Sequence, residues 1–292
     1  MDRPEAPVDA RYSIDAFVRA GRFGDLWRGT PKEGGPTVLI KLLRPELFAD
    51  GEAIRRFQRE VRLQMAFEHP YLLPVLDHGT TPSGDPYLVL ADRDGQLLSE
   101  VARRPLPVDR VRRIGAQIAR VLAAAAARGI VHRGLAPDVI LLSADDDVSV
   151  LDFGLAIVFR ADQDEPRLTA HGQRIGSPAY MAPEYVEAFQ SDARTDLYAL
   201  GVLLYELLTG DPPFVGPAMD VLDAHVHQTP DPPSRAVAGV PDWLDQLVCA
   251  LLSKDPTHRP DGTAVARTLV AGVWPPPTEP TGPIANKAPV PE

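Results

Sequence analysis

Two stretches of the chain hold residues whose types and spacing bear on chemistry. The first, His132-Arg133-Gly134-Leu135-Ala136-Pro137-Asp138-Val139, sets polar side chains among small and apolar ones ahead of Asp152-Phe153-Gly154. Within it, Gly134, Ala136 and Val139 cannot take a proton, carry a positive charge or ligate a metal through a side chain. The second, Arg19-Ala20-Gly21-Arg22-Phe23-Gly24, has glycines that let a backbone approach a phosphate, and a β-hairpin turn needs glycines for the same freedom. Lys41 lies in the compact apolar run 38–43, and alternation along a strand puts Leu39 and Lys41 on one face.

Placing these residues requires a strand-rich part that holds Lys41 and a helical part that holds the 132–139 loop. From 12 to about 90 the pattern is short strands, glycine turns and one helix over 51–67, with Ile54, Phe57 and Val61 at helical spacing. The run 87–90 is a further strand, and 91–95 breaks the pattern as a connector. From 97 onward helical segments dominate. The segment 111–128 carries Val111, Ile114, Ile118, Val121 and Leu122 on one stripe, its alanines from Ala123 to Ala127 allow close packing, and Gly129 is the expected terminator. Segments 195–209 and 243–253 are the other predicted helices.

Composition narrows the function classes. A 292-residue chain, 45% apolar and 24% charged, folds without metals or disulfides, and its net charge of −10 gives no field for a nucleic-acid backbone or an anionic membrane. Arg103, Arg104, Arg110, Arg112 and Arg113 read as the solvated start of a helix. Cys249 is the one cysteine, which excludes an internal disulfide and the usual structural zinc sites. The first residues lack the apolar core of a signal peptide, and no apolar run reaches the roughly 18 residues of a membrane span. The expected location is cytoplasmic.

The ordered set of motifs resembles the bacterial eukaryotic-type serine/threonine protein kinases over 12–273. Lys41 ends a Val-x-Ile-Lys strand, and Glu60 follows in the next helix, as the family's lysine and glutamate partners do. Asp152-Phe153-Gly154 matches the metal-binding triplet, and Ala182-Pro183-Glu184 closes the activation segment. Asp196 starts the next long helix and reaches back to the backbone near His132 and Arg133, and Arg259 sits where the family has the partner of Glu184. The resemblance implies an α+β, two-lobed protein-kinase-like fold. Its parts are an N-terminal tail 1–11, a small β-rich N-lobe 12–90 with one helix, a hinge 91–95, a larger mostly α-helical C-lobe 96–273 and a Pro-rich disordered tail 274–292.

In this family the loop's Asp accepts the substrate hydroxyl proton, its Lys neutralises the γ-phosphate and its Asn holds a second magnesium ion. Those positions are Gly134, Ala136 and Val139 here, and Asp138 falls at the variable position whose side chain points away from the cleft. Arg19 replaces the first glycine of the glycine loop. Leu39 replaces the usual alanine and adds bulk where a purine would lie, a cost of roughly 1–3 kcal/mol if the site does not relax.

The resemblance thus implies no catalytic residue and a vestigial nucleotide cleft of Gly21, Gly24, Leu39, Lys41, Glu60 and Asp152. Asp152 is the remaining metal position; ATP and magnesium are expected to bind weakly at most, with no other cofactor. Thr169, in the activation segment, pairs with Arg133 as a regulatory candidate, a phosphothreonine docking on an arginine. The expected function is a pseudokinase, a regulatory or scaffold module whose partners are an active serine/threonine kinase or a phosphothreonine-binding domain. The alternative is a weakly active ATP-dependent serine/threonine kinase with an atypical catalytic loop.

Overall fold

Short apolar runs separated by turns build a five-stranded antiparallel sheet in the N-terminal lobe. Its strands are β1 (Tyr12–Arg19), β2 (Gly24–Pro31), β3 (Val38–Leu43), β4 (Val75–Thr80) and β5 (Pro86–Ala91), in the order β1-β2-β3-β5-β4. The structure is a computed structural model that describes residues 8–21, 24–43, 58, 61–62, 64–153 and 177–275. Alternation splits the sheet into two faces. Val38, Ile40, Tyr87 and Val89 pack with Val8 on one, which leaves Leu39, Lys41, Leu88 and Leu90 on the other, toward the second lobe.

Order begins before Tyr12. Val8, assigned by sequence to a tail over 1–11, is buried against Ile40 and Val89, which would otherwise face water on the outer side of the sheet. Asp9 accepts from the Tyr87 hydroxyl and the Arg11 backbone, and so fastens this segment to β5. In the expected helix over 51–67, Gln58, Val61, Arg62, Gln64 and Met65 are helical; Ile54 and Phe57 lie outside the described residues.

The C-terminal lobe is helical around a small sheet. β6 (Gln96–Leu97), β7 (Ile140–Leu142) and β8 (Val148–Val150) form that sheet. The main helices are α1 (Val108–Ala126), α2 (Pro183–Ala188), α3 (Ala193–Thr209), α4 (Ala218–His227), α5 (Asp242–Leu251) and α6 (Gly262–Ala271). The helix expected over 111–128 therefore starts a turn earlier, after Pro107, and Gly129 follows it at φ 68°. α3 is apolar nearly all round and is correspondingly buried. It reaches its depth through small residues: a Cβ on Gly115 of α1 would lie 2.6 Å from a Leu204 methyl. A Cβ on Gly262 of α6 would lie 3.1 Å from Ala123 in the alanine run. No helix among the described residues is long and apolar enough to cross a membrane.

The basic cluster is not simply solvated. Arg110 and Arg113 bind the two oxygens of Asp146 at 2.9 and 3.0 Å, while Arg112 donates to the Leu269 and Val270 carbonyls at the end of α6. The carboxylate and the orphan carbonyls lie where sequence spacing gives no hint of them. Burial would raise the Asp146 carboxyl, but the two arginines hold it below its ordinary value.

His225 on α4 is fully buried, shares a 2.8 Å hydrogen bond with the Tyr198 hydroxyl of α3, and stacks edgewise on Phe214. Burial, aided by the Lys254 charge, pushes its pKa from 6.5 down to about 4. The unfolded chain therefore binds a proton that the fold refuses between these values. Stability is fully present above pH 6.5 and falls as pH drops toward 4, by about 3 kcal/mol in all. Chemical denaturation at a series of pH values should show that slope, and His225→Gln should flatten it.

Candidate functional site: the cleft between the lobes

The loop leading to β7 is held from behind. Asp196, in the first turn of α3, accepts the backbone N–H of His132 at 2.7 Å and of Arg133 at 2.8 Å. Arg133 sits at φ 63°, a left-handed conformation that costs a non-glycine residue roughly 1–3 kcal/mol unless its surroundings fix it. Asp196 supplies that fixation. Burial pushes its pKa up to about 7, against the pull of the two N–H groups and the Arg133 charge. His132, 1% exposed, joins the loop to the strand that follows it. Its Nδ1 accepts from the Gly134 N–H at 3.2 Å, so its Nε2–H donates to the Leu151 carbonyl at 2.8 Å. Both ring nitrogens are thus engaged in holding the loop.

A stack of side chains carries this frame between the lobes. The His132 ring packs 4.5 Å from Phe153, Phe153 lies edge-on to Phe67, and Gln64 of the N-lobe helix donates to the Phe153 carbonyl. The stack positions Asp152, immediately before Phe153, which is itself left-handed at φ 64°.

Asp152 meets Lys41 across the cleft. Their side chains form a 2.5 Å ion pair, each about 5% exposed. Burial would raise the Asp152 carboxyl, but the Lys41 charge and hydrogen bond, then Arg19 and His132, hold it below its ordinary value. Burial pulls the Lys41 ammonium below the usual lysine range, opposed by Asp152 and, more weakly, by Asp138. Asp138 lies in the short 3₁₀ turn Pro137–Val139.

Strand register places the rest. Lys41 pairs with Leu26 on one side and Leu88 on the other; Leu39 pairs with Arg28 and Leu90. Leu39 and Lys41 therefore share the cleft face, as alternation predicted, and Leu39 is 5% exposed. The glycines have structural reasons of their own. A Cβ on Gly24 would lie 2.0 Å from the Leu42 carbonyl oxygen, and one on Gly21 would lie 2.7 Å from that of Gly24. At the mouth of the cleft Arg28 donates to Asp92 in the connector at 2.7 Å, which ties β2 to the hinge.

Gly134, Ala136 and Val139 stand along the loop; Ala136 and Val139 are each 2% exposed. The Val139 carbonyl accepts from the Leu151 N–H, so this position is tied directly to the segment that carries Asp152. Val139 offers no side-chain ligand, and no group of three or more His, Cys, Asp or Glu side chains suited to a metal occurs among the described residues. Arg133 spends its Nε–H on the Ser191 hydroxyl at 2.9 Å. Glu60 and Thr169 lie outside the described residues.

Sequence reasoning missed the electrostatic reach of the Arg19 guanidinium, which acts on both Lys41 and Asp152. The replacement of a glycine by Arg19 was the available signal.

A strand-borne lysine, a carboxylate after β8 and a loop fixed by α3, all between a small sheet lobe and a larger helical lobe, define a protein-kinase fold. The protein kinase domain family matches residues 12–271, and the chain belongs to that family. It is 35% identical over 259 residues to the serine/threonine-protein kinase pkn3 of Myxococcus xanthus, covering 86% of this chain and 47% of that protein. It is 37% identical over 266 residues to the serine/threonine-protein kinase PknB of Mycolicibacterium smegmatis, covering 89% and 42%. The crystal structure of the Mycobacterium tuberculosis PknI kinase domain superposes with a TM-score of 0.71 at 26% identity, covering 93% of this chain and 100% of that one. The chain thus spans less than half the length of these two curated relatives.

Proposed function

We propose that this domain is an ATP-dependent serine/threonine protein kinase of low turnover, working with an atypical catalytic loop. The observation that carries the reading is the buried Lys41–Asp152 pair, the charges that would meet a triphosphate and its counter-ion. The naming of its relatives as serine/threonine kinases favours the same reading. Phosphoryl transfer passes through a loose transition state in which positioning and charge matter more than covalent assistance. Loss of the base at 134 then slows the reaction, by about 10² to 10⁴, while Lys41 and Asp152 remain.

In this reading the triphosphate takes the place of Asp152 beside Lys41, which orients and neutralises it. Magnesium, when bound, neutralises phosphate charge next to Asp152. The Asp196–His132 frame keeps the loop backbone fixed beneath the acceptor hydroxyl, and Asp138 is the carboxylate left in the loop. Leu39 limits the room for a purine, which sets a weak affinity.

The second reading, a non-catalytic regulator that binds an active kinase or a phosphothreonine-reading domain, is favoured by Gly134, Ala136 and Val139. A thermal-shift titration with ATP and magnesium gives the first discrimination. At 100 times its dissociation constant a ligand stabilises the fold by about 2.7 kcal/mol. The expected result is a shift in the wild type that Lys41→Met abolishes; no shift in the wild type would reject the kinase reading. Transfer of labelled phosphate to a serine/threonine peptide then separates a nucleotide-binding regulator from a slow enzyme.

A further inference from the structure

We propose that Arg19 is a phosphate-binding residue of the cleft, supplying the positive charge that Ala136 cannot. The inference rests on the reading that a nucleotide occupies this cleft, and it names the group that replaces a missing part.

Register is the first support. Arg19 pairs with Leu26 and Leu26 pairs with Lys41, so the three side chains form one row across β1, β2 and β3 on the cleft face. Two strand spacings of about 4.8 Å separate the ends of that row, a gap that an arginine and a lysine reaching toward each other can share with a phosphate. An irregularity sets this arrangement up. Phe17 faces Trp27, and the pairing then slips so that Val18 and Arg19 stand against Leu26 alone. Under strict alternation Arg19 would share the face of Phe17; the bulge re-aims it.

Position of the guanidinium is the second support. A Cβ on Gly21 would lie 3.8 Å from Arg19 Nη1, so the guanidinium lies beside Gly21 rather than out in solvent beyond the end of β1. Its charge lies within electrostatic range of the buried Lys41–Asp152 pair. Two cations aimed at one space repel, and an anion between them relieves that repulsion. Arginine also presents a fork of donors that matches phosphate oxygens, so one side chain both neutralises and orients. A glycine at 19 would offer a backbone N–H alone.

The experiment measures binding by calorimetry for the full chain and its Arg19→Gly and Arg19→Gln variants, with ATP, inorganic tripolyphosphate and adenosine as separate probes. The variants are first matched to the wild type by melting temperature, and Arg19→Gln keeps the side-chain shape should Arg19→Gly disturb the turn. Loss of a charge-assisted hydrogen bond predicts roughly tenfold weaker ATP and tripolyphosphate binding in both variants, with adenosine unchanged. Equal or tighter ATP binding in Arg19→Gly, which returns the glycine usual in kinases, would overturn the proposal and make Arg19 an obstruction. Equal weakening of adenosine would also overturn it, as a general distortion of the lobe. Wild-type binding of tripolyphosphate but not ATP, lost in both variants, would uphold Arg19 while rejecting the nucleotide reading; binding of neither probe would reject both.

Discussion

Restoring Gly134→Asp, Ala136→Lys and Val139→Asn together should raise phosphoryl transfer by at least two decades over the wild-type chain. Each replacement returns a distinct contribution: a base worth about 10² to 10⁴, a cation at the transferring phosphoryl group and a second metal ligand, each worth a further factor of roughly 10² to 10³. Groups that act as a unit do not multiply, so the lower bound is the secure one. The loop can accept the changes. Gly134 does not occupy the left-handed region, so an aspartate meets no backbone strain there. Val139 and asparagine are close in volume, and the carbonyl of residue 139 keeps its bond from the Leu151 N–H. Ala136 is extended, at φ −164°, and only 2% exposed, so the lysine must find its way into the cleft toward the phosphates. Steady-state turnover on a peptide substrate reads the gain. Equal rates in a correctly folded triple variant would place the lesion elsewhere, with Leu39 the next residue to change.

Removal of Arg259 should be the most damaging single truncation of the frame, costing roughly 3–5 kcal/mol of stability. Its guanidinium makes two parallel 2.8 Å bonds to Glu184, donates to the Arg194 and Ser253 carbonyls, and lies 4.9 Å from the Tyr198 ring centroid. The side chain is wholly buried, and Glu184 also accepts from the Thr195 hydroxyl. Arg259→Ala leaves that carboxylate and both carbonyls without their donor in a dry interior. On a domain of this size the loss corresponds to on the order of 10 °C in melting temperature. Arg259→Lys should recover only part of it, because an ammonium cannot span both carboxylate oxygens. An unchanged unfolding midpoint in Arg259→Ala would contradict this account of how α2 is fastened to α3.

Local pattern made much of this architecture legible. Alternation in 38–43 was enough to put Leu39 and Lys41 on one face, and the resemblance anticipated both the Asp196 bonds to the loop backbone and the Glu184–Arg259 pair. What stayed hidden depends on partners distant in sequence or on breaks in periodicity. Val8 is buried because the outer face of the sheet needs a cover, which no feature of the first ten residues announces. Arg110 and Arg113 look like a solvated face until β7 and β8 bring Asp146 beside them. The bulge that turns Arg19 inward is a shift of register between two strands, and the sequence of one strand does not contain it.

The central claim is that the Lys41–Asp152 cleft still supports transfer in the absence of the loop's usual base. Its most direct test is a single-turnover reaction of wild-type protein with γ-labelled ATP, magnesium and a serine/threonine peptide, beside Asp152→Asn. A typical kinase turns over at about 1 to 100 s⁻¹, so a loss of two to four decades places the rate between seconds and hours per event. Label on the peptide within that window, absent with Asp152→Asn, is the expected result. No label after many hours at saturating ATP, with binding of ATP demonstrated, would contradict the claim and leave a nucleotide-binding regulator.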